Sequence, residues 1–170
     1  MKTLLKTALE YNSWANQQVW NCIQSLSDTQ FNQTHNYSTG SVYEQTFHLM
    51  STDYWTLTML NGSDGADAPK KEDFTSRDAI WARWQEIDKA YHAWLETATD
   101  EELNRIIGFP ETDELTVSGT CAEYVMVIEN HTTNHRAQIL ALIHQLGGET
   151  CEMGLYFFIR ERAMKQVQTA

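Results

Sequence analysis

His131 and His135 are the two residues whose types and spacing best suit chemistry in this sequence. On a helix, a separation of four positions places both side chains on one face, about one turn apart. Two imidazoles in that arrangement can bind one metal ion, as in the helical histidine pairs of zinc hydrolases. The apolar neighbours on that face are Val127, Ile128, Ile139 and Leu142. We therefore expect the histidine pair to stand in an apolar stripe that faces a core.

A third protein ligand is expected from another helix, because two imidazoles leave a metal ion under-coordinated. His48 is the best candidate, since it lies midway along a predicted helix and shares a stripe with Trp55 and Met59. Three neutral imidazoles with an open position are typical of a catalytic rather than a structural zinc site. The other histidines fit less well. His144 lies half a circle round the helix from His135, His35 falls in a predicted loop, and His92 is at a solvent-facing position.

The competing interpretation is that these histidines are hydrogen-bonded core residues, the commoner role of a lone histidine on an apolar face. Glu44 and Gln138 lie one turn from His48 and His135, so either could orient an imidazole or contact a metal-bound water. Glu44 equally suits a helix capping box. Arg136 points away from the histidine stripe and could pair with an acid such as Glu129 or Glu123. The sequence assigns no catalytic side chain.

The elements that must position these residues are four long predicted helices. Apolar spacing predicts them over residues 3–26, from Ser41 to about Leu60, from Ser76 to about Thr97 and from about Thr120 to Leu146. A short hairpin is expected within residues 106–117, a loop over residues 61–69 and a short final helix over residues 155–165. This pattern predicts an all-α four-helix bundle that forms a single domain over residues 1–170.

Composition limits the possible partners and compartments. The chain has 170 residues, 42% of them hydrophobic, and a net charge of −11, which argues against nucleic acid or an anionic membrane as a partner. Three cysteines without a CxxC motif suggest neither a disulfide framework nor a thiolate zinc site, and their contexts do not favour nucleophilic catalysis. We see no signal peptide and no apolar run that could span a bilayer, so a reducing cytoplasm is expected.

Four stretches of the chain resemble the DinB-like (YfiT-type) superfamily. The run Asn130-His131-x-x-x-His135-Arg136-Ala137-Gln138 is similar to its last-helix signature, with Ala137 where a glycine is usual. Residues 11–16 resemble the first-helix motif, residues 41–55 the second-helix motif and residues 154–161 the C-terminal segment. The resemblance spans nearly the whole chain, and the three-histidine arrangement is its most specific part.

The resemblance implies an up-down-down-up four-helix bundle, often dimeric, that binds a divalent metal ion through His48, His131 and His135. We expect zinc or nickel, with iron or manganese as alternatives, a small-molecule substrate and a homodimer. Two enzymatic interpretations stay open. The metal could hold a low-molecular-weight thiol as thiolate in an S-transferase, or activate water in a hydrolase. The alternative is a non-catalytic metal-binding or stress-response module with a closed fourth coordination position.

Overall fold

Four long helices form the frame of the protein, whose computed structural model describes residues 1–63 and 67–168. In chain order the helices are α1 (Lys2–Ile23), α2 (Asp28–Asn32), α3 (Val42–Leu60), α4 (Arg77–Thr97), α5 (Asp100–Asn104), α6 (Cys121–Gln145) and α7 (Leu155–Gln168). A 3-10 turn covers Lys71–Asp73, and two strands follow α5: β1 (Ile106–Pro110) and β2 (Thr116–Thr120). The predicted all-α four-helix bundle is confirmed.

Local sequence signals set where the long helices begin. Ser41 caps α3 and Glu44 returns a hydrogen bond to the Ser41 backbone, which is the capping box expected from the sequence. Ser76 caps α4 through the amide of Ala79. Thr120 caps α6 in the same reciprocal way as Ser41. The predicted starts of these helices are therefore correct, because each depends on contacts within four residues.

Short elements are where the structure differs from the prediction. Helix α1 ends at Ile23, three residues early, and the following connection contains α2, which Ser27 caps. Helix α5, capped by Thr99, was not predicted, and α7 continues to Gln168. A five-residue helix spans little more than one turn and therefore carries no apolar period to detect. The predicted loop at 61–69 falls partly on residues 64–66, outside the described residues.

The long helices pack in a square, with α1 and α3 on one diagonal and α4 and α6 on the other. Each member of one pair contacts both members of the other pair. The core between them contains side chains with no solvent exposure from three of the helices: Leu49, Met50, Ile80, Ile139 and Leu142. Within the described residues, no helix is both long and apolar enough to cross a membrane.

The predicted hairpin forms and leads directly into α6. Strands β1 and β2 pair antiparallel, with Ile106 opposite Thr120 and Ile107 opposite Gly119. Thr120 is both the last residue of β2 and the cap of α6. The Arg105 carbonyl also accepts a hydrogen bond from the amide of Cys121. The hairpin therefore fixes the start of the helix that carries two of the histidines.

Candidate metal centre

His48 of α3 meets His131 and His135 of α6 in the groove between these two helices. One ring nitrogen from each residue lies within 4.8 Å of the other two. The Nε2 atoms of His48 and His131 are 3.2 Å apart. The ring centroids are separated by 4.5 to 5.2 Å. The structure thus brings together the three histidines that the sequence singled out, from positions 83 residues apart in the chain.

The spacing of these nitrogens matches the requirement of a small divalent metal ion. Metal–nitrogen bonds of about 2.0–2.1 Å in tetrahedral geometry place two ligand nitrogens about 3.3–3.4 Å apart. The 3.2 Å between His48 Nε2 and His131 Nε2 is close to that value. Without a metal ion, two neutral imidazoles at this distance can form only one hydrogen bond with each other. A shared cation between them would use both lone pairs.

Gln45 orients one of the imidazoles. The Nδ1 atom of His135 lies 2.8 Å from Oε1 of Gln45, a side chain with no solvent exposure. Because an amide oxygen only accepts, Nδ1 of the neutral ring must carry the proton and Nε2 keeps its lone pair. That is the tautomer in which Nε2 can bind a metal, and a hydrogen bond of this kind is the usual support of a histidine ligand.

A chain of hydrogen bonds continues from Gln45 to the surface. The Gln45 side-chain amide donates to Oε1 of Gln138 at 3.4 Å, and the hydroxyl of Ser38 also donates to that oxygen. Ser38 lies in the connection before α3 and has a positive φ of 52°. Gln138, expected to contact either an imidazole or a metal-bound water, is connected to His135 through Gln45.

Glu44 takes the capping-box role, one of the two roles expected for it from the sequence. One carboxylate oxygen closes the α3 capping box at Ser41, and the other forms a 2.8 Å ion pair with Lys71. The hydrogen bond from Lys71 is the main reason that the pKa of Glu44 lies below its usual value.

Gln45 was missed because a buried glutamine on an otherwise apolar helix face has no distinctive spacing. Its position three residues before His48 was the available signal.

The histidine face is less buried than the apolar stripe predicted. Ile128, Ile139 and Leu142 are buried as expected, but Val127 is 52% exposed and Trp55 is 41% exposed. His48 and His131 are themselves half-buried. Both stripes therefore border solvent next to the histidines. This partial exposure favours a catalytic site over a structural one, because a small molecule can reach the half-buried His48 and His131.

The remaining histidines lie elsewhere in the fold. His144 is exposed near the end of α6, as expected. His92 is half-buried rather than solvent-facing, because its Nε2 atom contacts Ser13 of α1 at 2.9 Å. His35 lies in the connection between α2 and α3. The three-histidine cluster is the group of potential metal ligands found among the described residues.

Burial keeps the clustered imidazoles neutral. Removal from water lowers the pKa of His48, and also that of His135, where the charge of His48 adds to the effect. The pKa of His131 falls to about 4, first through burial and then through repulsion by the other two rings. At neutral pH each ring therefore has a lone pair available, which is the form that binds metals.

Arg136 fixes α6 against α1 from the opposite side of the histidine pair. Its side chain is fully buried and donates to the side-chain oxygens of Asn12 and Asn16 and to the hydroxyl of Thr133. Of the two acids predicted as ion-pair partners, Glu129 lies 3.8 Å away. The other, Glu123, closes the α6 capping box instead. The polar contacts to α1 were not anticipated.

An open cavity of about 840 Å³ lies between the N-terminal parts of α1 and α6, with His131 in its wall. Apolar side chains from both helices line it, including Leu4, Met126 and Val127. Asn130 and Asn134 add polar groups near His131. Its volume is within the usual range for small-molecule sites, about 300–1,000 Å³.

Sequence comparison identifies the family of the chain. Residues 1–165 match the model of the DinB family, so the chain belongs to the DinB family. The protein DinB of Bacillus subtilis (strain 168) is 24% identical over 162 residues, which cover 88% of this chain and 91% of that protein.

Solved structures show the same fold at low sequence identity. A DinB-like protein from Bacillus cereus ATCC 10987 superposes with a TM-score of 0.63 at 17% identity, covering 85% of this chain and 94% of that one. YfiT from Bacillus subtilis, described as a probable metal-dependent hydrolase with an unusual four-helix bundle topology, gives 0.59 at 14% identity, covering 88% and 91%.

Loss of Gln45 should weaken metal binding without unfolding the bundle. We expect Gln45→Leu to lower zinc affinity about 10- to 100-fold, the usual cost of removing the hydrogen-bond partner of a metal-binding histidine. Gln45→Glu keeps an acceptor opposite His135 Nδ1 and should retain most of the affinity. Titration calorimetry of both variants measures the difference. Equal affinity of wild type and Gln45→Leu would show that Gln45 does not orient His135.

Proposed function

We propose that this protein is a metal-dependent hydrolase of small molecules, in which His48, His131 and His135 bind one divalent metal ion. The observation that carries the proposal is the convergence of three neutral ring nitrogens within 4.8 Å of one another, with the side chains of His48 and His131 only half-buried. Three protein ligands leave a position for water or substrate, which separates catalytic zinc sites from structural ones. The description of YfiT as a probable metal-dependent hydrolase supports the same class of reaction.

The donor set favours particular metals. The cluster consists of imidazoles alone, and imidazole suits zinc and nickel, whereas carboxylate-rich sites suit manganese and magnesium. Non-haem iron sites commonly include a carboxylate next to two histidines. We therefore place zinc or nickel first, and iron or manganese as the alternatives to test by elemental analysis.

In this proposal, different residues would orient the metal ligands and contact the substrate. A bound divalent metal would supply Lewis acidity, lowering the pKa of a coordinated water and polarising a carbonyl oxygen. Gln45 would hold His135 in the productive tautomer. Asn130 and Asn134 could donate hydrogen bonds to polar groups of a substrate in the cavity beside His131, while Leu4 and Val127 would contact its apolar part.

A thiol-dependent S-transferase is the second candidate. The all-imidazole donor set admits it, because zinc or nickel held by imidazoles also accepts thiolate, and a thiolate so held is the nucleophilic form of the thiol. The cavity beside His131 is lined by Glu123 and by no lysine or arginine among the described residues. The Glu123 carboxylate would repel the carboxylates of an acidic thiol, so we rank hydrolysis first.

One assay separates these functions. Zinc- and cobalt-loaded protein is tested on simple esters and amides, and separately on an electrophile with bacillithiol, glutathione or cysteine. Ester or amide turnover that a chelator stops supports the hydrolase. A thiol-dependent charge-transfer band of the cobalt protein, with conjugation of the electrophile, would replace it with the transferase. If neither reaction occurs and a fourth side chain closes the site, the protein is a non-catalytic metal-binding module.

We also propose that the protein acts as a single-domain cytoplasmic homodimer. The three cysteines are free thiols, as expected in a reducing compartment. Tyr156 and Val167 of α7 are 70% and 79% exposed, and Ile159 and Met164 of the same helix are exposed as well, which gives an apolar surface that a second copy could cover. Light scattering after size-exclusion chromatography measures the mass, and Ile159→Glu should shift a dimer toward monomer.

Removal of the metal should leave the helices intact. The bundle buries a core of large apolar residues from all four long helices, unlike a zinc finger, which cannot fold without its ion. We expect chelator-treated protein to keep its helical circular dichroism and to melt at a lower temperature, because a ligand stabilises the state it binds. Loss of helicity on chelation would indicate a structural metal and favour the non-catalytic alternative.

A further inference from the structure

A second cavity lies on the opposite edge of the bundle from the histidines, in the groove between α1 and α4. It has a volume of about 190 Å³, below the range of drug-sized pockets, so its occupant must be small. Helix α1 contributes Ser13, Asn16 and Gln17 to its lining, and α4 contributes Trp81, Trp84, Gln85 and Asp88.

Asp88 is the charged group of this cavity. Its Oδ1 atom accepts a hydrogen bond from the Ser13 hydroxyl at 2.6 Å. In the described part of the chain, no lysine or arginine forms an ion pair with Asp88. Burial penalises the charged carboxylate and raises the pKa of Asp88, against the opposing effects of the Ser13 hydroxyl, His92 and Lys89. A positive ligand would remove that penalty.

Two tryptophans form the aromatic side of the cavity. Trp81 is half-buried and stacks on Trp20 with ring centroids 4.8 Å apart, while Trp84 meets Trp81 edge-on at 88°. The indole N–H of Trp84 is already donated to Asp53. Indole rings attract cations, and the attraction grows when both groups are shielded from water.

The polar atoms in this groove are placed to accept hydrogen bonds from a ligand, and they do not form a nucleophilic triad. Ser13 lies between Asp88 and His92, with its oxygen 2.9 Å from His92 Nε2 and its hydroxyl within reach of the Asp88 carboxylate. In a hydrolase triad the histidine lies between the other two groups and takes the serine proton. Here Ser13 instead holds one carboxylate oxygen of Asp88 in place.

We propose that the groove between α1 and α4 binds a small organic cation, a primary alkylammonium, with its charge on Asp88 and its alkyl group against Trp81. The carboxylate supplies a charge-assisted hydrogen bond, and the indole supplies cation–π and apolar contact. The site is separate from the histidine cluster, so it does not depend on the proposed hydrolase activity. An amine bound there is a ligand or effector of the protein rather than its metal-site substrate.

Nuclear magnetic resonance of the indole N–H groups tests this proposal on the intact chain. Propylammonium chloride is titrated into the protein, with 1-propanol and sodium chloride as matched neutral and ionic controls. We expect saturable shifts of the Trp81 and Trp84 signals with propylammonium alone. The signal of Trp55, which does not line the cavity, should stay in place.

Variants of α4 decide whether Asp88 carries the binding. Asp88→Asn should weaken propylammonium binding at least tenfold, and Gln85→Lys, at an exposed position of the rim, should abolish it by placing a cation in the cavity. Glu86→Gln changes an exposed charge on the same helix and should have no effect. Absence of saturable shifts in wild type, or equal binding by the Gln85→Lys protein, would overturn the proposal.

Discussion

Replacement of His131 by alanine is expected to abolish stoichiometric metal binding. The loss should exceed the 10- to 100-fold cost of losing a supporting hydrogen bond, because a ligand itself disappears and two imidazoles remain. His48→Ala and His135→Ala should have effects of similar size. Elemental analysis of protein loaded with one equivalent of zinc, followed by titration calorimetry, measures occupancy and affinity.

His144→Ala is the matched control for this experiment. It removes an exposed imidazole from the same helix, nine residues beyond His135, and should leave occupancy unchanged. Circular dichroism should be the same for every variant, because each substitution leaves the apolar core of the bundle unchanged. Equal metal content in wild type and His131→Ala protein would disprove the assignment of the site.

Replacement of Asp53 by asparagine is expected to stabilise the protein at alkaline pH. Asp53 is buried, accepts a 2.7 Å hydrogen bond from Trp84, and leaves Oδ1 without a partner among the described residues. Burial raises its pKa from 3.8 to about 7, despite the opposing effects of Trp84 and Arg136. Asparagine can keep an acceptor for Trp84 while carrying no charge.

The sign of the pH dependence follows from that pKa. A carboxyl whose pKa is higher in the folded state favours folding fully below about pH 3.8, and this contribution is lost as pH rises to about 7. A shift of about three units corresponds to about 4 kcal/mol in the free energy of unfolding. The advantage of Asp53→Asn over wild type should therefore grow from near zero at pH 4 to about that value at pH 8.

Urea denaturation at pH 4, 6 and 8 measures this difference. Asp113→Asn, at an exposed position in the hairpin, serves as the control for the same substitution on the surface and should give only a small change in stability. A constant difference between Asp53→Asn and wild type at all three pH values would show that Asp53 ionises in the folded protein as it does in the unfolded chain.

Much of the frame and of the histidine cluster could be predicted because the signals are local or periodic. Ser41, Ser76 and Thr120 mark helix starts by side-chain to backbone contacts within one turn. The His131 and His135 pair requires only that its segment be helical. Placing His48 beside the pair needed the further assumption that its helix packs on α6, which the bundle architecture and the family resemblance supplied.

The supporting residues could not be predicted, because they depend on how helices face one another. Gln45 and Glu44 are adjacent in the chain, and only the rotation of α3 decides which of them meets His135. Val127 and Trp55 lie on apolar stripes that turn out to border solvent. Arg136 is fully buried because Asn12 and Asn16 of α1 receive it, and the sequence does not pair residues more than 100 positions apart.

The arrangement of α6 has a consequence for metal selection. His131 and His135 face α3, while Arg136, one residue further on, is bonded to α1, so this buried arginine sets the angle at which the helix presents both rings. The rings are therefore ordered in the metal-free protein. The conformational entropy lost in ordering them is part of the free energy of folding and does not reduce metal affinity. A cluster held in this way keeps three nitrogen donors at the spacing of a small four-coordinate ion. We therefore expect tight binding of zinc, and weak binding of calcium, which needs six to eight oxygen ligands, even at millimolar concentration.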